Sequence, residues 1–167
     1  MTVSETFKLS LPDDTHIVVS REFDAPRDLV WQAMTSSDLI RRWVAGPPGW
    51  EMTICEDDRR VGGEFHWAWT GPDGMQLAMR GVNREIVPPQ RGSRTERFEM
   101  VGGPPMGEQL ATLVLVEQGG RTHMTITLEY DSKAARDGAA ASGMEHGMSA
   151  NYARLDELLA QAGSGSK

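Results

Sequence analysis

Hydrophobic and polar residues alternate through the middle of the chain, which is the pattern of half-buried β-strands. The clearest case is EFHWAWT (64–70), in which Phe65, Trp67 and Trp69 occupy alternate positions and therefore share one face of a strand. Strand composition recurs in 14–24, 50–56, 75–87, 93–101, 108–117 and 121–130. Turn sequences such as GPDG (71–74) separate these segments, and the short links predict an antiparallel meander.

A helical period replaces the alternation in three places. Residues 25–34 and 35–43 predict two short helices directly after the first strand, and residues 133–162 predict one long C-terminal helix. The apolar stripe of the long helix recurs at three- and four-residue steps and consists of Met144, Met148, Tyr152, Leu155 and Leu159. The pattern therefore predicts an α+β fold in which this helix covers one face of a curved sheet of about six to seven strands.

Three glycines interrupt the first half of the predicted long helix, at 138, 143 and 147. Each costs about 1 kcal/mol relative to alanine in a helix interior. Two explanations remain open: close approach of the helix to the sheet, or a helix that flexes over a cavity. The aromatic row has the same two interpretations, because large rings and methionines suit both a solid core and the wall of an apolar pocket.

Length and charge narrow the function classes. The 167 residues suit one domain, which we place at 14–162 between an N-terminal extension (1–13) and a flexible tail (163–167). The formal net charge of -7 argues against nucleic acid as a partner. A single cysteine, Cys55, excludes an internal disulfide, and the N-terminus has no long apolar run; we therefore expect a cytoplasmic protein without a membrane span.

Candidate catalytic chemistry is sparse. Glu96 shares strand parity with Phe98 and Met100, so on the inner face it would be a carboxyl among apolar groups and a candidate acid or base. The alternative is a rim glutamate paired with a nearby arginine. Tyr152 is the second catalytic candidate. The four histidines have no metal-ligand spacing and no phosphate or dinucleotide motif is present, so we expect no metal and no cofactor.

Several segments resemble one known family in sequence and in order. They are REFDAPRDLVWQAMTSSDLIRRW (21–43), RVGGEF (60–65), DG (73–74) with Gly81, EIVPPQR (85–91), Thr122, GMEHGM (143–148) and LDELLA (155–160). Together they resemble the family of proteins like the activator of heat-shock-protein-90 ATPase, within the START-related superfamily. The resemblance implies a helix-grip fold, in which a curved antiparallel sheet holds a long C-terminal helix above an apolar cavity.

The resemblance also implies a function, which is binding of a small hydrophobic or aromatic molecule, lipid-like or polyketide-like, in that cavity. The candidate ligand-binding residues are Trp43, Phe65, Trp67, Trp69, Met79, Asn83, Phe98, Met144, Met148 and Tyr152. Met148 and Asn83 stand where relatives often carry an aromatic residue. Two alternatives remain open, an enzyme of the cyclase or hydrolase type using the same cavity and co-chaperone-like stimulation of the heat-shock-protein-90 ATPase, although a chaperone partner is not expected. A homodimer also remains open.

Overall fold

A computed structural model describes residues 3–44, 46, 48–100, 102–103 and 105–165 of the protein. Eight strands and four α-helices occur in these residues: β1 (Lys8–Ser10), β2 (His16–Phe23), α1 (Arg27–Thr35), α2 (Ser37–Trp43), β3 (Glu51–Asp57), β4 (Glu64–Thr70), β5 (Gln76–Val87), β6 (Arg91–Met100), β7 (Pro105–Gln118), β8 (Arg121–Tyr130), α3 (Lys133–Ala140) and α4 (Met144–Gly165). Short 3-10 turns lie at Val3–Thr6 and Pro72–Gly74. The predicted α+β helix-grip fold is confirmed.

All eight strands form one antiparallel sheet in the order β1-β2-β8-β7-β6-β5-β4-β3. The sheet therefore has more strands than the six to seven predicted. The additional strand is β1, which lies in the segment assigned to the N-terminal extension and pairs with β2 through Lys8 and Ser20. It was not predicted because three residues are too few to show an alternating pattern.

The register places one continuous row of side chains on the inner face of the sheet. Trp67 on β4 pairs with Met79 on β5, which pairs with Phe98 on β6. Two residues further along the same face of β6, Glu96 pairs with Gln109 on β7, and Gln109 pairs with Tyr130 on β8. Side chains of one parity share a face, so an aromatic region and a polar region adjoin each other there.

The C-terminal helical segment is divided in two, where the sequence predicted one helix. The backbone leaves the helix at 141–143, where Gly143 has φ +85°, a conformation that glycine adopts without steric cost. α3 begins at the cap Ser132, whose Oγ accepts a hydrogen bond from the backbone N–H of Ala135 at 3.0 Å. α4 continues to Gly165, and the last two residues of the predicted tail lie outside the described residues.

The hydrophobic core lies between the inner face of the sheet and the helices. The C-terminal half of α4 contributes Leu155, Leu158 and Leu159, each at most 7 % exposed. None of the helices in the described residues combines the length and the apolarity needed to cross a membrane.

Candidate functional site

The aromatic row of β4 is buried on the inner face, as its alternation predicts. Phe65, Trp67 and Trp69 are between 2 and 7 % exposed. The Trp67 ring meets both neighbours edge to face, with centroids 5.6 Å from Phe65 and 6.3 Å from Trp69. Such tilted contacts are a favourable geometry for aromatic pairs.

The indole N–H groups of the buried tryptophans differ in their partners. Trp69 Nε1 donates to the backbone oxygen of Val44 at 3.0 Å. Trp43 Nε1 donates in the same way to Ala33 at 2.9 Å. Trp67 Nε1 is buried and has no acceptor among the described residues. A buried donor without a partner costs about 1–3 kcal/mol, so such groups generally have a water, an ion or a ligand as their acceptor.

A polar group on β6 and β7 lies directly against this tryptophan. Arg94 Nε donates to Glu96 Oε2 at 2.9 Å, and Gln109 Nε2 donates to Glu96 Oε1 at 2.8 Å. The Arg94 guanidinium carbon is 4.0 Å from the ring centre of Phe65 and 4.5 Å from that of Trp67. We call the group formed by Phe65, Trp67, Arg94, Glu96 and Gln109 the Arg94 site. It combines a flat apolar wall with charged and donor groups.

Glu96 has a feature of each interpretation offered by the sequence, the buried carboxyl on the inner face and the glutamate paired with an arginine. It is 8 % exposed on the inner face, and its side chain forms an ion pair with Arg94. Its charge acts on two buried phenols: burial raises the pKa of Tyr130 to about 12, and Glu96 contributes to that rise. Burial raises the pKa of Tyr152 on α4 even further, again with a contribution from Glu96. The carboxylate thus lies within electrostatic range of both β8 and α4.

The candidate residues Tyr152 and Trp43 belong to a second aromatic region, on the β2 side of the sheet. The ring of Tyr152 contacts the rings of Phe7, Phe23 and Trp43, whose centroids are 5.7 to 6.3 Å from its own. Beside it, Arg21 forms a bidentate ion pair with Asp156 of α4. Arg21 Nη1 donates to Asp156 Oδ1 at 2.8 Å, and Nη2 donates to Oδ2 at 2.5 Å. We call this group the Arg21 cluster. Both terminal nitrogens of Arg21 donate hydrogen bonds to Asp156, and one of them also donates to the backbone carbonyl of Glu22.

The other candidate residues divide into two sets. Met79 is buried and Phe98 half-buried on the inner face next to Trp67, while Met144 and Met148 are half-buried on α4 and pack against the core. Asn83 is placed differently, because both of its amide hydrogens are donated to the β3–β4 turn, to Asp57 Oδ1 and to the Asp58 carbonyl, each at 3.0 Å. Its side chain therefore holds that turn.

Two cavities occur elsewhere, where α1 and α2 meet the end of α4. One of about 200 Å³ is mainly apolar and is lined by Leu29, Ala33, Leu39, Arg42, Leu158 and Leu159, among others. The other, of about 320 Å³, includes Arg42, Arg154 and Glu157. The predicted wall residues line neither of them. In the described residues, no cluster of three or more histidine, cysteine, aspartate or glutamate side chains could hold a metal ion.

Arg94 and Gln109 were not among the residues singled out from the sequence. A signal for Arg94 was present, because positions 94, 96 and 98 share a face and the first two carry opposite charges. Gln109 had no such signal, since its position opposite Glu96 depends on the β6–β7 register, which crosses a bulge between Arg97 and Glu99.

The geometry and the sequence together identify the family. Residues 24–160 match the family described as Activator of Hsp90 ATPase homolog 1-like protein. The chain belongs to this family. Its fold is thereby placed in the START-related superfamily, as the ordered motifs indicated.

Solved structures of several bacterial proteins are similar to nearly the whole chain. A Rhodobacter sphaeroides protein is 31% identical with a TM-score of 0.83, covering 93% of this chain and 98% of its own. A Mycobacterium smegmatis protein is 26% identical with a TM-score of 0.80 and the same coverage of both chains. An Arthrobacter aurescens protein is 28% identical with a TM-score of 0.80, covering 92% of this chain and 91% of its own. No curated protein matches this chain.

Proposed function

We propose that this family member binds a small hydrophobic or aromatic molecule between the inner face of β4–β6 and the first half of α4. The observation that carries the proposal is the buried Trp67 N–H, which has no acceptor in the described residues although it belongs to a wall of aromatic rings. A ligand polar atom would remove the cost of that unpaired donor, and the rings would cover the apolar part of the ligand. The helix-grip fold of the family is compatible with small-molecule binding.

The burial gradient along α4 supports the same location. Leu155 in the second half of the helix is fully buried, whereas Met144 and Met148 in the first half are only partly buried. The helix is thus held firmly at its C-terminal half and more loosely above the sheet at its beginning. Methionine side chains adapt to irregular and flat partners, and a sulfur–aromatic contact adds about 0.3–1.5 kcal/mol.

Direct binding of a flat hydrocarbon tests the proposal. Naphthalene titrated into the protein should change its tryptophan fluorescence and shift the NMR signals of the Met144 and Met148 methyl groups. Met148→Trp should weaken this binding by about tenfold or more because the larger ring fills the space, while the folded circular dichroism spectrum is retained.

The matched control is His146→Trp, which adds the same ring to the exposed side of the same helix turn. We expect this control to bind naphthalene like the unchanged protein. Equal binding by both variants would show that Met148 does not line the site. No response of the tryptophans or methionines to naphthalene or to a long-chain alcohol would contradict the proposed function itself.

A further inference from the structure

Hydrogen-bond donors dominate the free polar atoms of the Arg94 site. Both carboxylate oxygens of Glu96 are occupied, one by Arg94 Nε and the other by Gln109 Nε2. Trp67 Nε1 is buried and has no acceptor among the described residues, while Arg94, whose side chain is 19 % exposed, donates there only through Nε. A guanidinium and an indole N–H can donate hydrogen bonds but cannot accept them. A partner that satisfies the buried Trp67 N–H must therefore supply an acceptor.

Arg94 lies directly against the side chain of Trp67. Its guanidinium carbon is 4.5 Å from the ring centre of Trp67, the residue whose indole N–H is unpaired. The Trp67 side chain is 7 % exposed, so its unpaired donor is held inside the fold. One oxygen atom with two lone pairs has the capacity for both donors.

We propose that the Arg94 site selects an uncharged aromatic molecule with a carbonyl oxygen that accepts hydrogen bonds from Trp67 Nε1 and Arg94. This inference rests on the proposed function, because it names the chemistry of a ligand bound at the same aromatic wall. It goes further by assigning Trp67 and Arg94 as the residues that determine which ligand is held.

Charge balance favours an uncharged ligand over a carboxylate. Arg94 already has a full negative charge beside it in Glu96, at 2.9 Å. Arg59, which lies near enough to feel the charge of Arg94, is balanced in the same way by Asp57 at 3.1 Å. A ligand carboxylate would bring a second negative charge next to Glu96, and two carboxylates sharing a site disfavour each other's ionised form. A carbonyl oxygen accepts the same hydrogen bonds without that repulsion.

Calorimetry at neutral pH with three naphthalene probes of similar size distinguishes a ligand with a carbonyl group from a plain hydrocarbon and from a carboxylate. The probes are naphthalene itself, acetylnaphthalene and naphthoate, the last two substituted at the same ring carbon. We expect acetylnaphthalene to bind about three- to tenfold more tightly than naphthalene, the net value of a hydrogen bond. Naphthoate should bind more weakly than acetylnaphthalene, because Glu96 repels it.

Trp67→Phe keeps an aromatic ring and removes the unpaired N–H. The variant should prefer acetylnaphthalene over naphthalene much less than the unchanged protein does, because only the hydrogen bond from Arg94 to the carbonyl remains. Trp69→Phe is the matched control, because the N–H that it removes is already bound to the Val44 carbonyl. This control should lower the affinity for both probes together and retain their ratio.

Glu96→Gln tests the charge argument with nearly the same shape. Removal of the negative charge leaves Arg94 as an uncompensated cation, so naphthoate should gain about tenfold or more and become the preferred probe. NMR of the unchanged protein tests the hydrogen bond from Trp67 directly, with the Trp67→Phe variant used only to assign the signal. The indole N–H resonance that Trp67→Phe removes should shift on addition of acetylnaphthalene much more than on addition of naphthalene.

The two proposals fail in different ways. Equal affinity for all three probes, with a ratio that Trp67→Phe does not change, would overturn the carbonyl inference and leave hydrophobic binding in place. Tighter binding of naphthoate than of acetylnaphthalene by the unchanged protein would also overturn it. Binding of none of the probes would contradict both the inference and the proposed function.

Discussion

Arg21 and Arg94 lie on the inner face of the same sheet, each beside aromatic rings and a carboxylate, yet they are engaged differently. Arg21 is 2 % exposed and donates to both oxygens of Asp156 and to the backbone carbonyl of Glu22. The Arg94 side chain is 19 % exposed and donates to Glu96 through Nε alone among the described residues. An arginine whose two terminal nitrogens both donate to one carboxylate on a neighbouring helix links the strand to that helix. An arginine whose terminal nitrogens are not used within the protein can donate hydrogen bonds to a ligand.

The aromatic neighbours show the same contrast. In the Arg21 cluster the Trp43 indole is bound to Ala33, and Tyr152 is closely surrounded by other rings. In the Arg94 site the Trp67 indole is unpaired. Residue type alone does not separate a structural cluster from a binding site; the number of unused hydrogen-bond groups does.

Asp156→Ala should have the largest effect on stability. It leaves a nearly fully buried guanidinium without its anion, and breaking a buried ion pair costs about 3–5 kcal/mol. We expect a loss of about 3 kcal/mol in the free energy of unfolding, at the lower end because the Asp156 side chain is 26% exposed. Urea denaturation followed by circular dichroism measures this loss. Asp156→Asn, which keeps one acceptor, should lose less, and a loss below about 1 kcal/mol for the alanine variant would contradict a structural role for Arg21.

Arg94→Met should have a smaller effect on stability. Glu96 keeps its bond from Gln109, and the replaced guanidinium is partly solvated and contributes about 0.5–1 kcal/mol to its aromatic contacts. We expect a loss of about 1–2 kcal/mol in the same urea experiment, together with a weaker preference for acetylnaphthalene over naphthalene. A loss as large as that of Asp156→Ala, with no change in probe preference, would place Arg94 in the structural class.

Ionisation of the two tyrosines should have the smallest effect on the free energy of unfolding under ordinary conditions, because this ionisation occurs only at high pH. Burial and the charge of Glu96 raise the pKa of Tyr130 to about 12, and that of Tyr152 is raised as well. The unfolded chain ionises near pH 10 and the folded chain does not, so the unfolded state binds fewer protons and stability falls as pH rises above 10.

Tyrosinate absorbance measures this directly, since the chain contains only two tyrosines. The folded protein should show almost no ionisation at pH 10, where the urea-unfolded protein is about half ionised. Tyr130→Phe and Tyr152→Phe then assign the two phenols to the two regions. Half-ionisation of either phenol near pH 10 in the folded protein would show that it is not buried beside Glu96.

The sequence was sufficient for features that depend on local periodicity. The alternation of Phe65, Trp67 and Trp69 identified an inward face because a strand repeats every two residues whatever it pairs with. It was not sufficient for features that depend on register or on atom positions. The contact of Glu96 with Gln109 depends on how β6 pairs with β7. Trp43 and Trp69 have a backbone carbonyl opposite the indole N–H and Trp67 does not, a difference that the residue type does not show.

The break at Gly143 has a consequence for motion. It separates the first turns of α4 from α3, and residues 145–147 and 149–150 of those turns are exposed. Few apolar contacts hold this part of the helix, so its local opening requires much less free energy than unfolding of the whole domain. Backbone amides near Gly147 should therefore exchange with deuterium far sooner than those near Leu158. A molecule that enters beneath α4 through this opening would be admitted and released at the rate at which the first helical turns fray and re-form.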